Sequence, residues 1–542
     1  MCALFGTADD MRKEHEVDYV IVGAGTAGCV LASRLSEDPN CNVALLEAGG
    51  EGRHPFVRMP GGVMFLMSKG KYDWGYSSDP DPTRHDRVDY WLRGKLLGGS
   101  SAINGMVYVR GHPGDYDDWQ GAGASGWSYA DVLPFFRKIE TTTCGETDYR
   151  GRSGPMSVAE AWCKKDLTET FITACEEVGI GRNADYNGRD QEGVALTQAN
   201  QRKGRRHSAA DAYLKPAKAR HNLQVHTSAC VRRIVFDGKR AVGVEYSDAQ
   251  GVRTIRCRKE VLLAAGAINT PQILMLSGVG DPGELARHGI RVQHESPGVG
   301  RNLLEHPCLS FQKPVLVPSL NAELKVHRMA LNALRWLLSG SGPVASAGSQ
   351  AVAFIKSDPA LSRPDLQLMY GTLSYGFDSG ALGVGNTNGV TLNVNVSYPF
   401  SRGAVRLRSA DPAQGPSIQP RLLDDPRDLD LLIRGAEIVH RIFSTSAFRK
   451  ILAHPGVDLP ADRAAMIDFV RQHCGLCYHP AGTCRMGSDD TAVVDPELKV
   501  HGLSGLRVVD ASVFPSMISG NTNAAVLMVA EKAADIIMKS QL

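Results

Sequence analysis

The chain has 542 residues, 43% of them apolar and 22% charged, a length and balance that imply at least two soluble globular domains. A formal net charge of +2 removes any electrostatic case for nucleic acid. Residues 1–16 lack the apolar core of a secretory signal, and no apolar run reaches the ~18 residues that span a bilayer. Twelve cysteines without framework spacing read as free thiols in a reducing compartment, which predicts a cytoplasmic protein. Cys474-Gly475-Leu476-Cys477 is a lone CxxC; with no second pair it reads as packed thiols rather than a structural zinc site, and no metal is predicted.

In chain order, the first predicted element is a buried strand over 19–22 that runs into Gly23, Gly25 and Gly28 and a helix over 27–35. A second strand over 42–46 ends in Glu47, about 20 residues past the glycines, where a βαβ unit binds a ribose hydroxyl. This is a dinucleotide site; FAD and NAD share the pattern, whereas an acid at that position disfavours the 2′-phosphate of NADP. Residues 52–93 are loop-like. In the stretch 94–108, Gly98 and Gly99 permit close backbone approach, and the small polar residues after them can donate to phosphate or to a flavin ring; the alternative is a flexible loop leading into a helix.

A helix is predicted over 171–178 and strands over 223–226, 231–236, 241–246 and 260–265. The last runs through a glycine turn at Gly266 into a helix from Thr270 to Ser277. From about 311 to 470 the pattern changes to an antiparallel sheet, with strands over 388–398 and 403–408. A helix over 330–338 carries Leu331, Leu334, Trp336 and Leu337, and is expected to pack on a sheet rather than on a membrane surface.

The closing segment sets His479 on a Pro/Gly loop, one of sixteen histidines in the chain. A strand follows through Leu506 to Asp510, then a loop carrying Asn521, Thr522 and Asn523, then an amphipathic helix over 524–539. The N-terminus of that helix projects partial positive charge, which suits the pyrimidine edge of a reduced flavin.

Taken together, the stretches 94–108 and 266–280, the run 299–306 (VGRNLLEH), His479-Pro480 and Asn521-Thr522-Asn523 resemble the glucose–methanol–choline (GMC) oxidoreductases over essentially the whole chain, nearest the choline dehydrogenase and bacterial alcohol dehydrogenase branch. The resemblance implies FAD. It also implies an α/β FAD-binding Rossmann-like domain (15–155, 221–310 and 471–542) with an α+β substrate domain on an antiparallel sheet (156–220 and 311–470). FAD contacts then fall on Gly23, Gly25, Thr26, Ala27, Gly28 and Glu47, and on Gly98, Gly99, Ser101, Asn104, Gly105 and Val107. Val231 is expected at the adenine, Asp510 and Ala511 at the ribityl–phosphate region, and Asn521 and Thr522 at the pyrimidine edge.

The family's catalytic base matches His479, and its usual partner matches Asn523. Members that tether FAD covalently carry histidine where this chain has Ile103, so dissociable FAD is expected. The implied reaction is oxidation of a primary alcohol to the aldehyde, by a dehydrogenase in this branch. An oxidase using O2, a hydroxynitrile-lyase-like enzyme on the same fold, and an NAD-dependent dehydrogenase are the alternatives. The partners implied are a small alcohol and an electron acceptor among quinone, dye, cytochrome or O2, with peripheral membrane contact compatible with the sequence. Choline would need a carboxylate or an aromatic cage for its cation. Tyr370, Tyr375, Phe377 and Trp336 are the aromatic candidates, and their geometry is not readable from sequence.

Overall fold

The computed structural model describes residues 16–62, 70–378 and 381–540, with side chains placed outside 377–382, so the N-terminal stretch read above lies outside the description except for Glu16, and Phe377 does so in its side chain. Strand β1 (Glu16–Val22) is buried from Val17 onward and β2 (Val43–Glu47) throughout. Strands covered on both faces lose polar alternation, which is why both read as unbroken apolar runs. Helix α1 (Thr26–Leu35) joins them. The chain then contributes β3 (Gly193–Leu196), β4 (Leu223–Thr227), β5 (Cys230–Asp237), β6 (Arg240–Asp248), β7 (Gly251–Leu263) and α2 (Gly266–Leu276). Next come β8 (Pro307–Pro314), α3 (Val326–Ser339), β9 (Ala351–Ile355), β10 (Leu366–Gly371), β11 (Gly389–Val396) and α4 (Pro426–Phe443). The chain closes with β12 (Gly475–Leu476), β13 (Leu506–Val508) and α5 (Asn523–Lys539).

The first sheet runs β4-β2-β1-β7-β6-β5, with β13 also paired to β7. Its β4, β2, β1, β7 and β13 are parallel, while β5 and β6 attach antiparallel. Strand β7 belongs to both halves. It begins at Gly251 rather than at Glu260 because residues 251–256 pair antiparallel with β6; Arg253, Arg256 and Arg258 break the apolar pattern there, which hides that half of the strand in the sequence. The second sheet, β12-β8-β11-β10-β9-β3, is antiparallel throughout. Helix α4 buries Leu429, Leu432, Ala436, Val439 and Phe443, a stripe at helical spacing, and packs on β11. The strand expected over 403–408 shortens to Ala404–Arg406 and pairs only with Ser417–Gln419, outside both large sheets.

Two further expectations need correction. Helix α2 starts at Gly266, not Thr270, and carries Pro271 inside it. Pro271 has no N–H for the Ala267 carbonyl one turn back. Thr483 from the His479 loop donates its hydroxyl to that carbonyl at 2.6 Å, so the helix continues through the proline. Helix α3 does not pack on a sheet: of its residues only Trp336 is buried. Val326, Leu331, Leu334, Leu337 and Leu338 are 52–81% exposed.

Buried apolar side chains form two main cores. One gathers the first sheet with α1 and α5, the other the second sheet with α4. The buried Glu531 on α5 accepts from Arg34 on α1 at 2.7 Å and pairs with Lys138, tying the two ends of the chain together.

Candidate active site

A cavity of about 1800 Å³ opens where β1, β2 and β7 end and extends to the second sheet. A single small-molecule site usually takes roughly 300–1,000 Å³, so this one has room for a cofactor and a substrate. At its phosphate end, α1 begins at Thr26 after Gly25, with no side chain capping its N-terminus. Its first N–H groups are therefore available to an anion. A Cβ on Gly28 would lie 1.9 Å from the Gly23 carbonyl, so only glycine lets α1 pack on β1 here. The second glycine stretch closes on the first: Gly98 N–H donates to Ala24 O at 2.8 Å, and a Cβ on Gly99 would stand 2.8 Å from Gly25 Cα.

Glu47 is buried, and each carboxylate oxygen takes one backbone N–H, from Ala24 at 2.9 Å and Gly49 at 2.8 Å. Burial pushes its pKa up to about 7, and its remaining lone pairs border the cavity, where a ribose hydroxyl can donate to them. Thr26, Ala27, Gly105, Val107, Val231, Ala511 and Thr522 also line the cavity. The Ser101 hydroxyl donates to Gly98 O and accepts from Ala209 N–H, and the Asn104 carbonyl accepts from Arg206 and Met106, so both shape the loop. Asp510 is likewise saturated by Gly266 N–H, the Thr270 hydroxyl and Ser512 N–H, and it pins α2 to the end of β13. Gly28 and Gly98 are absent from the wall and act through packing. At the far end α5, also without a side-chain cap, points its N-terminus into the cavity through Asn521, Thr522 and Asn523. Two uncapped helix ends, a glycine cradle and a buried carboxylate fit a dinucleotide with an anionic ring edge.

His479 is 8% exposed on the cavity wall. Its backbone N–H donates to both oxygens of Glu305 at 2.8 Å, and Arg93 donates to the carbonyl of Tyr478, which sits at φ 65. A bulky residue held in that region stores backbone strain just before the imidazole. The tautomer of His479 follows from its neighbours. His306 Nε2 lies 3.1 Å from two carbonyl oxygens, those of Ser397 and Ile518, so it carries a hydrogen. Burial lowers the His306 pKa to about 4, so the ring is neutral and its Nδ1 is a lone pair. His479 Nδ1, 2.9 Å away, must then donate, which leaves His479 Nε2 unprotonated. Asn521 Nδ2 lies 3.0 Å from that nitrogen. Burial, then the adjoining His306 and Arg93, hold the His479 pKa well below the usual imidazole value.

The GMC oxidoreductase N-terminal model matches residues 17–308, and the C-terminal one matches residues 399–530. The chain belongs to the GMC oxidoreductase family. Relatives include an oxygen-dependent choline dehydrogenase from Sinorhizobium fredii, 41% identical over 97% of this chain and 96% of that one. Another, from Brucella canis and of the same name, is 40% identical over 96% of each chain. Among solved structures, pyridoxine 4-oxidase from Mesorbium loti superposes with a TM-score of 0.87 at 31% identity, covering 96% of this chain and 98% of the other. A formate oxidase does so with a TM-score of 0.89 at 28% identity, covering 97% and 98%. This GMC oxidoreductase is an FAD-dependent enzyme acting on CH–OH donors.

Within the GMC site, one predicted pairing changes. Asn523 is not the amide at His479: its Oδ1 accepts from Thr26 Oγ1 at 2.8 Å and its Nδ2 points to Asn200. It is the first residue of α5, and the turn into the helix directs its side chain toward α1. Asn521, two residues earlier on the loop, reaches the imidazole instead. Three residues that hold the base, His306, Glu305 and Arg93, were missed as site residues. Their signal was the adjacent Glu305-His306 pair, two polar groups inside an otherwise apolar run.

Proposed function

We propose that this GMC oxidoreductase is a dehydrogenase that converts a primary alcohol to its aldehyde, with His479 Nε2 taking the hydroxyl proton. The observation that carries the reading is the tautomer: the imidazole keeps a lone pair on Nε2, where the Asn521 amide N–H meets it on the cavity wall, while its other nitrogen is fixed by His306. FAD, when bound, supplies the two-electron acceptor. Asn521 donates to the substrate oxygen as its proton moves to His479, and Gln367 steadies that amide through Asn521 Oδ1 at 3.3 Å. Glu305 and Arg93 fix the loop, so the base does not have to reorient during proton transfer.

The cofactor is held without a covalent bond, because Ile103, buried on the wall at the position where a tethering residue would stand, has no nucleophile. No helix among the described residues is long and apolar enough to cross a membrane. We further propose a cytoplasmic protein that touches a membrane surface through the exposed apolar face of α3. That face is flanked by Lys325, Arg328 and Arg335 and lies on a helix whose Met329, Asn332 and Ala333 border the cavity.

The test is His479→Ala. The variant should bind FAD normally and lose roughly 10²–10⁴-fold in the anaerobic rate at which alcohol bleaches the flavin. A variant that bleaches at the wild-type rate removes His479 from the role. A wild-type protein that no alcohol bleaches removes alcohol oxidation and favours the lyase. Comparing dye with O2 as acceptor separates dehydrogenase from oxidase.

A further inference from the structure

We infer that Arg206 is a buried, unneutralised cation set behind the 98–107 loop, and that its charge makes the bound flavin easier to reduce. It touches no reacting atom and acts through the loop it holds.

A short hairpin places it there. Gln201 and Arg202 pair antiparallel with Arg206 and Arg205, so Gln201 and Arg206 share one face and Arg202 and Arg205 the other. The first pair is buried and the second exposed. The base of the hairpin is tied to the glycine-rich loop: Asn200 N–H donates to Met106 O at 2.9 Å, and His207 N–H to Asn200 O at 2.9 Å. Arg206 Nη1 then donates to Asn104 Oδ1 at 2.8 Å and to Ser101 O at 3.3 Å. Its Nε and Nη2 have no hydrogen-bond partner among the described residues.

The other buried arginines show how unusual this is. Arg84 is paired with Asp81 and Asp89, Arg110 with Glu140, Arg150 with Glu140 and Asp185, and Arg507 with Glu260. The carboxylate whose charge Arg206 feels, Asp211, is taken at 2.8 Å by the hydroxyl of Ser208 instead. Burial pushes the Arg206 pKa down to about 9, which leaves the group charged at neutral pH. A buried charge without a counter-ion is strongly destabilising on its own, so its place in the fold points to a negative charge that arrives with the cofactor.

That charge has an origin in the reaction. Ser101 and Asn104, the two residues Arg206 holds, line the cavity with Ile103, Gly105 and Val107, and Arg206 stands one side chain behind them. Oxidation moves a hydride, two electrons and one proton, from the alcohol carbon to FAD, and the hydroxyl proton to His479. The ring end of the cavity therefore gains one negative charge. A cation already fixed nearby in a low-dielectric interior favours that charge without having to reorganise.

The test is the midpoint potential of the flavin in the holoenzyme, read by anaerobic reductive titration against a reference dye. No alcohol is present, so the result stands apart from the identity of the donor. Arg206→Gln keeps an amide able to reach Asn104 but removes the charge. It should shift the reduction equilibrium at least tenfold toward oxidised flavin, a fall of about 30 mV for a two-electron couple. Arg206→Lys keeps the charge, and Asn104→Ala keeps the charge while removing its hydrogen bond; both should stay within about threefold of wild type. A glutamine variant at the wild-type potential overturns the inference, as does a lysine or Asn104→Ala variant that falls as far as the glutamine one. If Arg206→Gln does not retain flavin, Asp211→Asn decides. Loss of the carboxylate that offsets the Arg206 charge should raise the midpoint, and an unchanged or lower value overturns the inference.

Discussion

A neutral imidazole is useful as a base only if the right nitrogen is bare, and here that choice is made by a second imidazole. His306 spends its hydrogen on two carbonyls and so compels His479 to donate from Nδ1. His306 touches no reacting atom; it is a positioning residue. His306→Ala should lower kcat by about tenfold or more with KM nearly unchanged, because an imidazole free to flip presents Nε2 for only part of the time. The pH profile distinguishes this from simple damage. With its pKa depressed by burial and by its neighbours, wild-type His479 stays unprotonated as pH falls through 6.5, so kcat/KM should hold level there and drop only at lower pH. Removing His306 lets water reach the ring and should move that acid limb back toward 6.5. An unmoved limb with unchanged kcat would sink the positioning role. The same depression sets the sign for stability. The His306 contribution is fully present above pH 6.5, the unfolded value, and is lost as pH falls toward about 4. His479 could be singled out from sequence because it lies on a Pro/Gly loop ahead of an amide-bearing one. Its amide partner could not be chosen, since Asn521 and Asn523 straddle the point where loop becomes helix and their side chains diverge.

Periodicity in an element shows that it has two faces, but not which of them turns inward. Strands β1 and β2 escape this ambiguity because both of their faces are buried. Helix α3 does not: its leucines were expected against a sheet, yet Trp336 and the residues that border the cavity hold it in place while the leucines face out. An apolar stripe edged by Lys325, Arg328 and Arg335 suits an anionic lipid surface better than a second copy of the same chain, because a two-fold contact would bring like charges together. Wild-type protein should therefore co-sediment with vesicles containing about a third phosphatidylglycerol and be released by salt. Leu334→Glu combined with Leu338→Glu should abolish that binding while leaving flavin content and the rate with a soluble alcohol within about twofold, as expected of exposed positions. Wild-type protein that stays in the supernatant, or a solution dimer that the double variant splits, would count against lipid as the occupant.

At the scale of the whole molecule, the cofactor cradle is closed by segments from opposite ends of the chain. The glycine turn follows β1, the second uncapped helix is α5, and the buried Glu531 holds α5 to α1 through Arg34 and Lys138. The interleaving is finer than the linear division predicted from sequence. Tyr76 and Trp91, placed with the cofactor domain, pack in the second core, while Ala212, Tyr213 and Leu214, placed with the substrate domain, pack in the first. Short segments that cross between cores leave no compositional mark, so only the long strands and helices disclose their domain. We propose that the two cores are separate units of stability and that Glu531 is the clasp of one of them. Taking Glu531 away leaves Lys138 partly exposed and Arg34 still paired with Glu37 at 2.8 Å, so the cost is that of the lost charge-assisted hydrogen bonds, about 1.5–3 kcal/mol. Glu531→Ala should accordingly shift the urea midpoint of flavin release, read as the rise in flavin fluorescence, well below wild type. The later loss of secondary structure, contributed by the sheet under α4, should move little. Release into free solution at the first transition also requires dissociable FAD, so flavin that stays with precipitated protein would contradict the reading of Ile103. Two transitions that shift together would instead mean that the cores unfold as one unit and that the clasp serves the whole molecule.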